Sequence, residues 1–149
     1  LVYNHKPTGR GDDYLDLTGQ PLFPFGFGLS YTTFEYSALA IEPGVIDTAA
    51  TATVRFRVKN TGSRAGDEVV QLYVRDLLAG VARPVIELKG FTRLHLAPGE
   101  EREVALTLGP EHLRMLDGDM RWIVEPGRFR VLVGGSSRDI RLRGTLEVR

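Results

Sequence analysis

The stretch Thr51-Ala52-Thr53-Val54-Arg55-Phe56-Arg57-Val58-Lys59-Asn60 alternates with a period of two. On an extended backbone Val54, Phe56 and Val58 point to one side, and Arg55, Arg57 and Lys59 to the other. That is the pattern of a half-buried strand in an antiparallel sheet with one wet face. Asn60-Thr61-Gly62 breaks the run, and alternation resumes from Val69 to Arg75 with Val70, Leu72 and Val74 on one face.

The same reading extends outward in both directions. Upstream, Phe34 to Ile41 reads as a first strand closed by the turn Pro43-Gly44. Downstream, Pro84 to Phe91 reads as a strand or edge strand, with a short extension at Leu94-His95-Leu96 and a turn at Ala97-Pro98-Gly99-Glu100. Val104, Leu106 and Leu108 alternate with Glu103, Ala105 and Thr107. Pro110-Glu111-His112-Leu113 has its proline early enough for one helical turn. Asp117-Gly118-Asp119 is a hairpin-type turn, and Arg121 to Val124 leads into the turn Glu125-Pro126-Gly127. Phe129, Val131 and Val133 alternate with arginines, and Ile140, Leu142, Leu146 and Val148 form a last apolar face. Short strands separated by turns, with no long helix, predict an all-β fold: an immunoglobulin-like or fibronectin type III-like antiparallel sandwich of about seven strands. Its expected core includes Phe56, Val58, Leu72, Val74, Leu106, Phe129, Val131 and Leu142.

A chain of 149 residues fits one domain plus a tail. It can bury about 68–70% of its unfolded surface without a covalent staple. The absence of Cys rules out a disulfide framework and thiolate metal ligation. Lys+Arg and Asp+Glu are both 19, so there is no basic signature for nucleic acid. No apolar run is long enough to span a membrane. The N-terminus lacks a signal-peptide layout, and the compartment stays open.

Ahead of the sandwich lies Pro21-Leu22-Phe23-Pro24-Phe25-Gly26-Phe27-Gly28-Leu29-Ser30-Tyr31. Read with a period of two, Phe23, Phe25, Phe27, Leu29 and Tyr31 share one edge, while Pro24, Gly26, Gly28 and Ser30 leave the other edge almost bare backbone. An edge strand of the chain's own core is one reading; a strip that docks the sandwich to something else is the favoured one. Residues 5–20 are polar and do not alternate, which reads as a loop or linker after a strand end at Leu1-Val2-Tyr3-Asn4. The expected division is residues 1–33 as extended linker and docking strip, and residues 34–149 as the sandwich. An exposed row of aromatics is unfavourable, so the strip is expected to fold back or to bury itself against a second copy, giving a homo-oligomer.

Chemistry-bearing residues are sparse. Asp12, Asp13 and Asp16 cluster on a Gly-rich polar segment that offers no cause for a raised pKa, so a solvated linker is the reading there. His5, His95 and His112 lack ligand spacing. Ser136-Ser137 after Gly134-Gly135 is a turn rather than a nucleophile elbow, and Asn60-Thr61-Gly62 is no glycosylation acceptor. Trp122 and Tyr73 are the candidates for sugar stacking outside the strip, and Arg10-Gly11-Asp12 spells an adhesion tripeptide. No catalytic, metal or cofactor residue is assigned.

Several phrases together carry a resemblance. Pro21 to Thr32 is similar to the segment joining the middle and last domains of family 3 glycoside hydrolases, the β-glucosidase and β-xylosidase group. Val58-Lys59-Asn60-Thr61-Gly62 followed by Gly66-Asp67-Glu68-Val69-Val70-Gln71-Leu72-Tyr73 resembles that family's fibronectin type III-like domain. So do Glu87-Leu88-Lys89-Gly90-Phe91, Leu96-Ala97-Pro98-Gly99-Glu100, Glu125-Pro126-Gly127 with Phe129, and Val133-Gly134-Gly135-Ser136-Ser137. Tyr3-Asn4 to Gly9-Arg10 also resembles the exit from the family's middle α/β domain.

The resemblance implies a parent enzyme that removes β-linked sugars with retention, using an Asp nucleophile and a Glu acid/base in two upstream domains. No position here matches either motif, so no catalytic residue carries over. It implies that this chain is a C-terminal accessory domain bracing the catalytic domains of the same polypeptide, with no cofactor. A carbohydrate-binding module and, more remotely, an adhesion module are the alternatives.

Overall fold

The computed structural model describes residues 21–78, 80 and 83–149. The carboxylates Asp12, Asp13 and Asp16, the tripeptide Arg10-Gly11-Asp12, His5 and the strand end at 1–4 lie outside the described residues.

In chain order the elements are β1 (Phe34–Glu42), β2 (Val45–Ile46), β3 (Ala52–Asn60), β4 (Gly66–Asp76), β5 (Glu87–Leu96), β6 (Glu101–Leu108), the single turn of helix α1 (Pro110–Leu113), β7 (Met115–Leu116), β8 (Trp122–Ile123), β9 (Gly127–Gly134) and β10 (Ile140–Val148). One sheet has the order β1-β3-β6, and the other β2-β10-β9-β4-β5. Pairing within them is antiparallel apart from the short parallel contact of β2 with β10. The chain is an all-β sandwich, with the small β7–β8 hairpin outside its two sheets.

The alternation at β3 survives into the structure. Val54, Phe56 and Val58 are buried and face Val70, Leu72 and Val74 of β4 and Phe129, Val131 and Val133 of β9 across the sandwich. Tyr36 of β1 stacks on Phe56, with ring centroids 6.3 Å apart and planes 9° from parallel. Two expected core residues, Leu106 and Leu142, are only partly buried and pack against the core from its margin. Leu106 lies on β6, an edge of the smaller sheet, so part of its side is open. Leu142 sits where the β10–β9 register shifts between Ile140 and Leu142, which interrupts regular inward pointing.

β5 begins at Glu87 rather than at Pro84 and runs unbroken to Leu96. Pro84 has no N–H for a ladder. Arg83 instead pairs with Asp76 at 3.1 Å and Glu87 at 2.8 Å, pinning the approach to the strand. The turn after β5 hands the chain from the larger sheet to the smaller one. Gly99 adopts φ 76° there and the Glu100 N–H donates to the Ala97 carbonyl at 3.0 Å. With Pro98 ahead of it, this is the position at which a type II turn needs glycine.

β4 is buried on both faces from Val70 to Val74. Val70, Leu72 and Val74 belong to the core between the sheets. Gln71 and Tyr73 point the opposite way, yet they too are buried. What lies over that outer face defines the candidate site.

Candidate docking surface

The strip runs over the sandwich with its backbone inward. Phe25 accepts a hydrogen bond at its carbonyl from the Ser137 N–H (2.9 Å), and the Gly26 carbonyl accepts one from Gln71 Nε2 (3.0 Å). Gln71 Nε2 also donates to the Gly135 carbonyl at 2.6 Å, and the Tyr73 hydroxyl donates to Gln71 Oε1. Burial pushes the Tyr73 hydroxyl up to about 12, so it is a fixed donor at neutral pH. This amide clamp explains a polar residue in the middle of the apolar run Val69 to Val74.

Gly26 makes the close approach possible. It adopts φ 79°, and a Cβ built there would lie 2.0 Å from Gln71 Oε1. The Phe27 N–H donates to the Pro24 carbonyl at 3.0 Å, closing a turn with Gly26 in its third position. The period-two reading of the strip therefore fails locally. The turn brings the rings of Phe23 and Phe27 to 5.2 Å between centroids instead of leaving a straight ladder.

A second anchor lies at the other end of the strip. Asn60, fully buried, donates through Nδ2 to the carbonyls of Arg64 (2.7 Å) and Leu96 (2.9 Å). Its Oδ1 accepts from Thr32 Oγ1 (2.7 Å) and from the Gly62 N–H (3.0 Å). The Thr61 N–H donates to the Thr33 carbonyl at 2.9 Å. All four hydrogen-bonding positions of the Asn60 amide are used, as a buried amide requires. Sequence reading passed over Asn60 and Gln71 as anchors. The available signal was an amide side chain at a strand end and another on the outward side of an apolar strand.

With the backbone turned inward, the large side chains face out. Phe23, Phe25, Phe27, Leu29 and Tyr31 are 66%, 64%, 46%, 92% and 95% exposed. The expected fold-back is therefore a backbone event only. Glycine and carbonyl groups make the contact with the sandwich, and the row of rings stays outside.

Between the strip and the outer sheet face is a groove of about 880 Å³, lined among others by Phe25, Phe27, Val69, Phe91, Glu68 and Arg141. Its floor is polar. The Tyr36 hydroxyl donates to Glu68 Oε1 at 2.6 Å. Arg141 stands over the Tyr36 ring at 5.0 Å, pairs with Asp139 at 2.7 Å and donates to the Phe34 carbonyl. Burial holds the Glu68 carboxyl above the usual carboxylate range and raises the Tyr36 hydroxyl as well. Asp67 is engaged by Arg93 and by His95 at 2.7 Å. Each groove carboxylate thus has a structural partner. His112 is used locally, its Nδ1 accepting from the Gly109 N–H at 3.0 Å at the start of α1. Among the described residues no group of three or more His, Asp and Glu side chains is placed to hold a metal ion.

The two stacking candidates part company. Tyr73 is buried and offers no platform. Trp122 is exposed on the β7–β8 hairpin, with the Arg114 guanidinium 4.8 Å from its ring centroid and so covering one face.

Residues 68–137 match the fibronectin type III-like domain family. The chain is 49% identical over 129 residues to a β-glucosidase of Bacteroides ovatus, covering 86% of this chain and 17% of that protein. It is 51% identical over 142 residues to a β-xylosidase of Formosa agariphila, covering 93% of this chain and 20% of that protein. Among solved structures, a β-glucosidase of Erythrobacter marinus superposes with a TM-score of 0.90 at 41% identity, over 99% of this chain and 19% of the other. A β-glucosidase of Listeria innocua in complex with glucose superposes with a TM-score of 0.90 at 35% identity, over 99% and 22%. The chain thus spans about one-fifth of the length of the relatives it matches.

Proposed function

The chain belongs to the fibronectin type III-like domains of family 3 glycoside hydrolases, and from that premise we propose that it is the non-catalytic C-terminal module of a retaining β-glycosidase and braces the catalytic domains that precede it. In this reading residues 1–33 are the linker and docking strip and residues 34–149 the module. Phe23, Phe25, Phe27, Leu29 and Tyr31 are the docking residues.

One observation carries the reading: the strip is pinned to the sandwich by its backbone while its rings point away. Burying each such side chain is worth about 1.5–3 kcal/mol. A contiguous exposed patch of this kind marks an interaction surface. A strap fastened on one side and apolar on the other is suited to a seam between domains. The groove carboxylates Asp67, Glu68 and Asp139 already serve Arg93, Tyr36 and Arg141, which supports a module without its own hydrolytic centre.

Calorimetry of the whole polypeptide tests this. Phe25→Ser with Phe27→Ser should separate the module's melting from that of the catalytic part, while turnover at low temperature stays unchanged. An unaltered melting profile would overturn the bracing role. The 149-residue chain alone should not hydrolyse aryl β-glucosides; turnover that scales with protein and is lost in Asp12→Asn or Glu68→Gln would place an active site here.

A further inference from the structure

We propose that the docking face continues from the strip across the outer side of β4 and β5, through Val69 and Phe91, and that its occupant is the part of the same polypeptide that precedes the strip. This rests on the strip's docking role and adds residues of the sandwich itself.

Phe91 lies directly opposite Gln71 in the β4–β5 register. Directly opposed residues of an antiparallel pair share a face. Gln71 holds the Gly26 carbonyl, so Phe91 stands beside the strip on the side the strip covers. Val69, two residues before Gln71, shares that face. Phe91 is 66% exposed and Val69 41%, and both line the groove with Phe25 and Phe27. The exposed charged pair Asp67–Arg93 borders the patch, Arg93 lying opposite Val69 in the register. An apolar centre with a polar rim is the anatomy of a protein interface.

The choice of occupant follows from tethering. The relatives are about five times as long as this chain, and residues 1–20 lead straight into the strip. A domain attached there meets the patch at an effective concentration on the order of millimolar. A second copy would have to give up its free translation and rotation to reach the same place. A sugar chain is less suited, because the Gln71 amide is already engaged by Gly26, Gly135 and Tyr73 and offers its hydrogen bonds elsewhere.

The test is Phe91→Ser made in the whole polypeptide and in the 149-residue chain, with Phe91→Leu as the conservative partner. Melting of the short chain should be unchanged, because the ring is exposed in it. Melting of the whole polypeptide should fall by a few degrees and recover with Phe91→Leu. If Phe91→Ser is silent in the whole polypeptide while Phe25→Ser with Phe27→Ser is not, the extension across β5 is wrong and the strip's role stands. If both are silent, both readings fail. A dimer in sedimentation, or retention on soluble β-glucan, that disappears in Phe91→Ser would assign the face to a second copy or to carbohydrate and overturn the proposal.

Discussion

β3 and the strip each carry a row of large apolar side chains, and they place it in opposite ways. In β3 the alternation turns Val54, Phe56 and Val58 into the core and leaves the arginines in water. In the strip the backbone faces the sandwich, and Phe23, Phe25 and Phe27 face away. The difference comes from what each backbone does with its polar groups. A central strand satisfies them along the sheet, so side chains alone meet the other layer. The strip has no ladder. It satisfies its carbonyls on Gln71 and Ser137, and glycine lets the main chain come close enough to do so. Apolar pattern therefore says which residues group together. Where the backbone finds its partners says which way the group points.

Substitutions can break that contrast. Phe56→Ala should cost about 3–5 kcal/mol in urea or thermal unfolding, the usual loss for a fully buried ring. Arg55→Ala next to it, exposed and only 3.6 Å from Glu103, should stay within about 0.5 kcal/mol. A cheap Phe56→Ala would mean that β3 does not face the core.

Gly26→Ala should have a smaller and more local effect, on the order of 1–3 kcal/mol, from forcing a Cβ into the left-handed region and against Gln71. Faster amide exchange at Ser137 and easier proteolytic removal of the strip would register it, with little change in the unfolding of the sandwich. Coupled loss of the whole fold would show that the strip belongs to the core.

β5, which carries Phe91 beside the groove, offers a pH test at its first residue. Burial pushes the Glu87 carboxyl up, but Lys89 and Arg83 together draw it below its ordinary 4.5. A lowered folded pKa adds stability that is present above the unfolded value and is lost as pH falls through the folded one. Melting temperature should thus decline from about pH 4.5 downward, and Glu87→Gln should flatten that part of the curve. An identical slope in Glu87→Gln would remove the ion pair from the account.

The smallest effect on stability is expected at the rings themselves. Phe25→Ser with Phe27→Ser should change unfolding of the 149-residue chain by no more than about 0.5 kcal/mol. It should also abolish any self-association seen by light scattering. A large loss of stability would mean that the rings are buried in the chain alone.

The sandwich was legible because alternation and turn residues report directly on a two-layer fold, from Phe34 to Val148. Alternation alone puts Leu106 and Leu142 too deep, because it carries no information on where a sheet ends or where a register slips. The docking strip was legible as a group of residues and a bare edge, but not in its path. Its turn depends on a positive φ at Gly26, and its direction on an amide 45 residues away in the chain. Asn60 shows the same limit. Its partners come from residues 32, 62, 64 and 96, which no local pattern connects.

Covalent footprinting of the aromatic side chains tests the central claim most directly, by comparing the 149-residue chain with the whole polypeptide. Phe23, Phe25, Phe27 and Tyr31 should label readily in the short chain and become protected in the whole polypeptide, while Phe56 stays protected in both. Equal labelling of the four strip residues in the two forms would contradict the claim that the sandwich holds its strip outward for the catalytic domains.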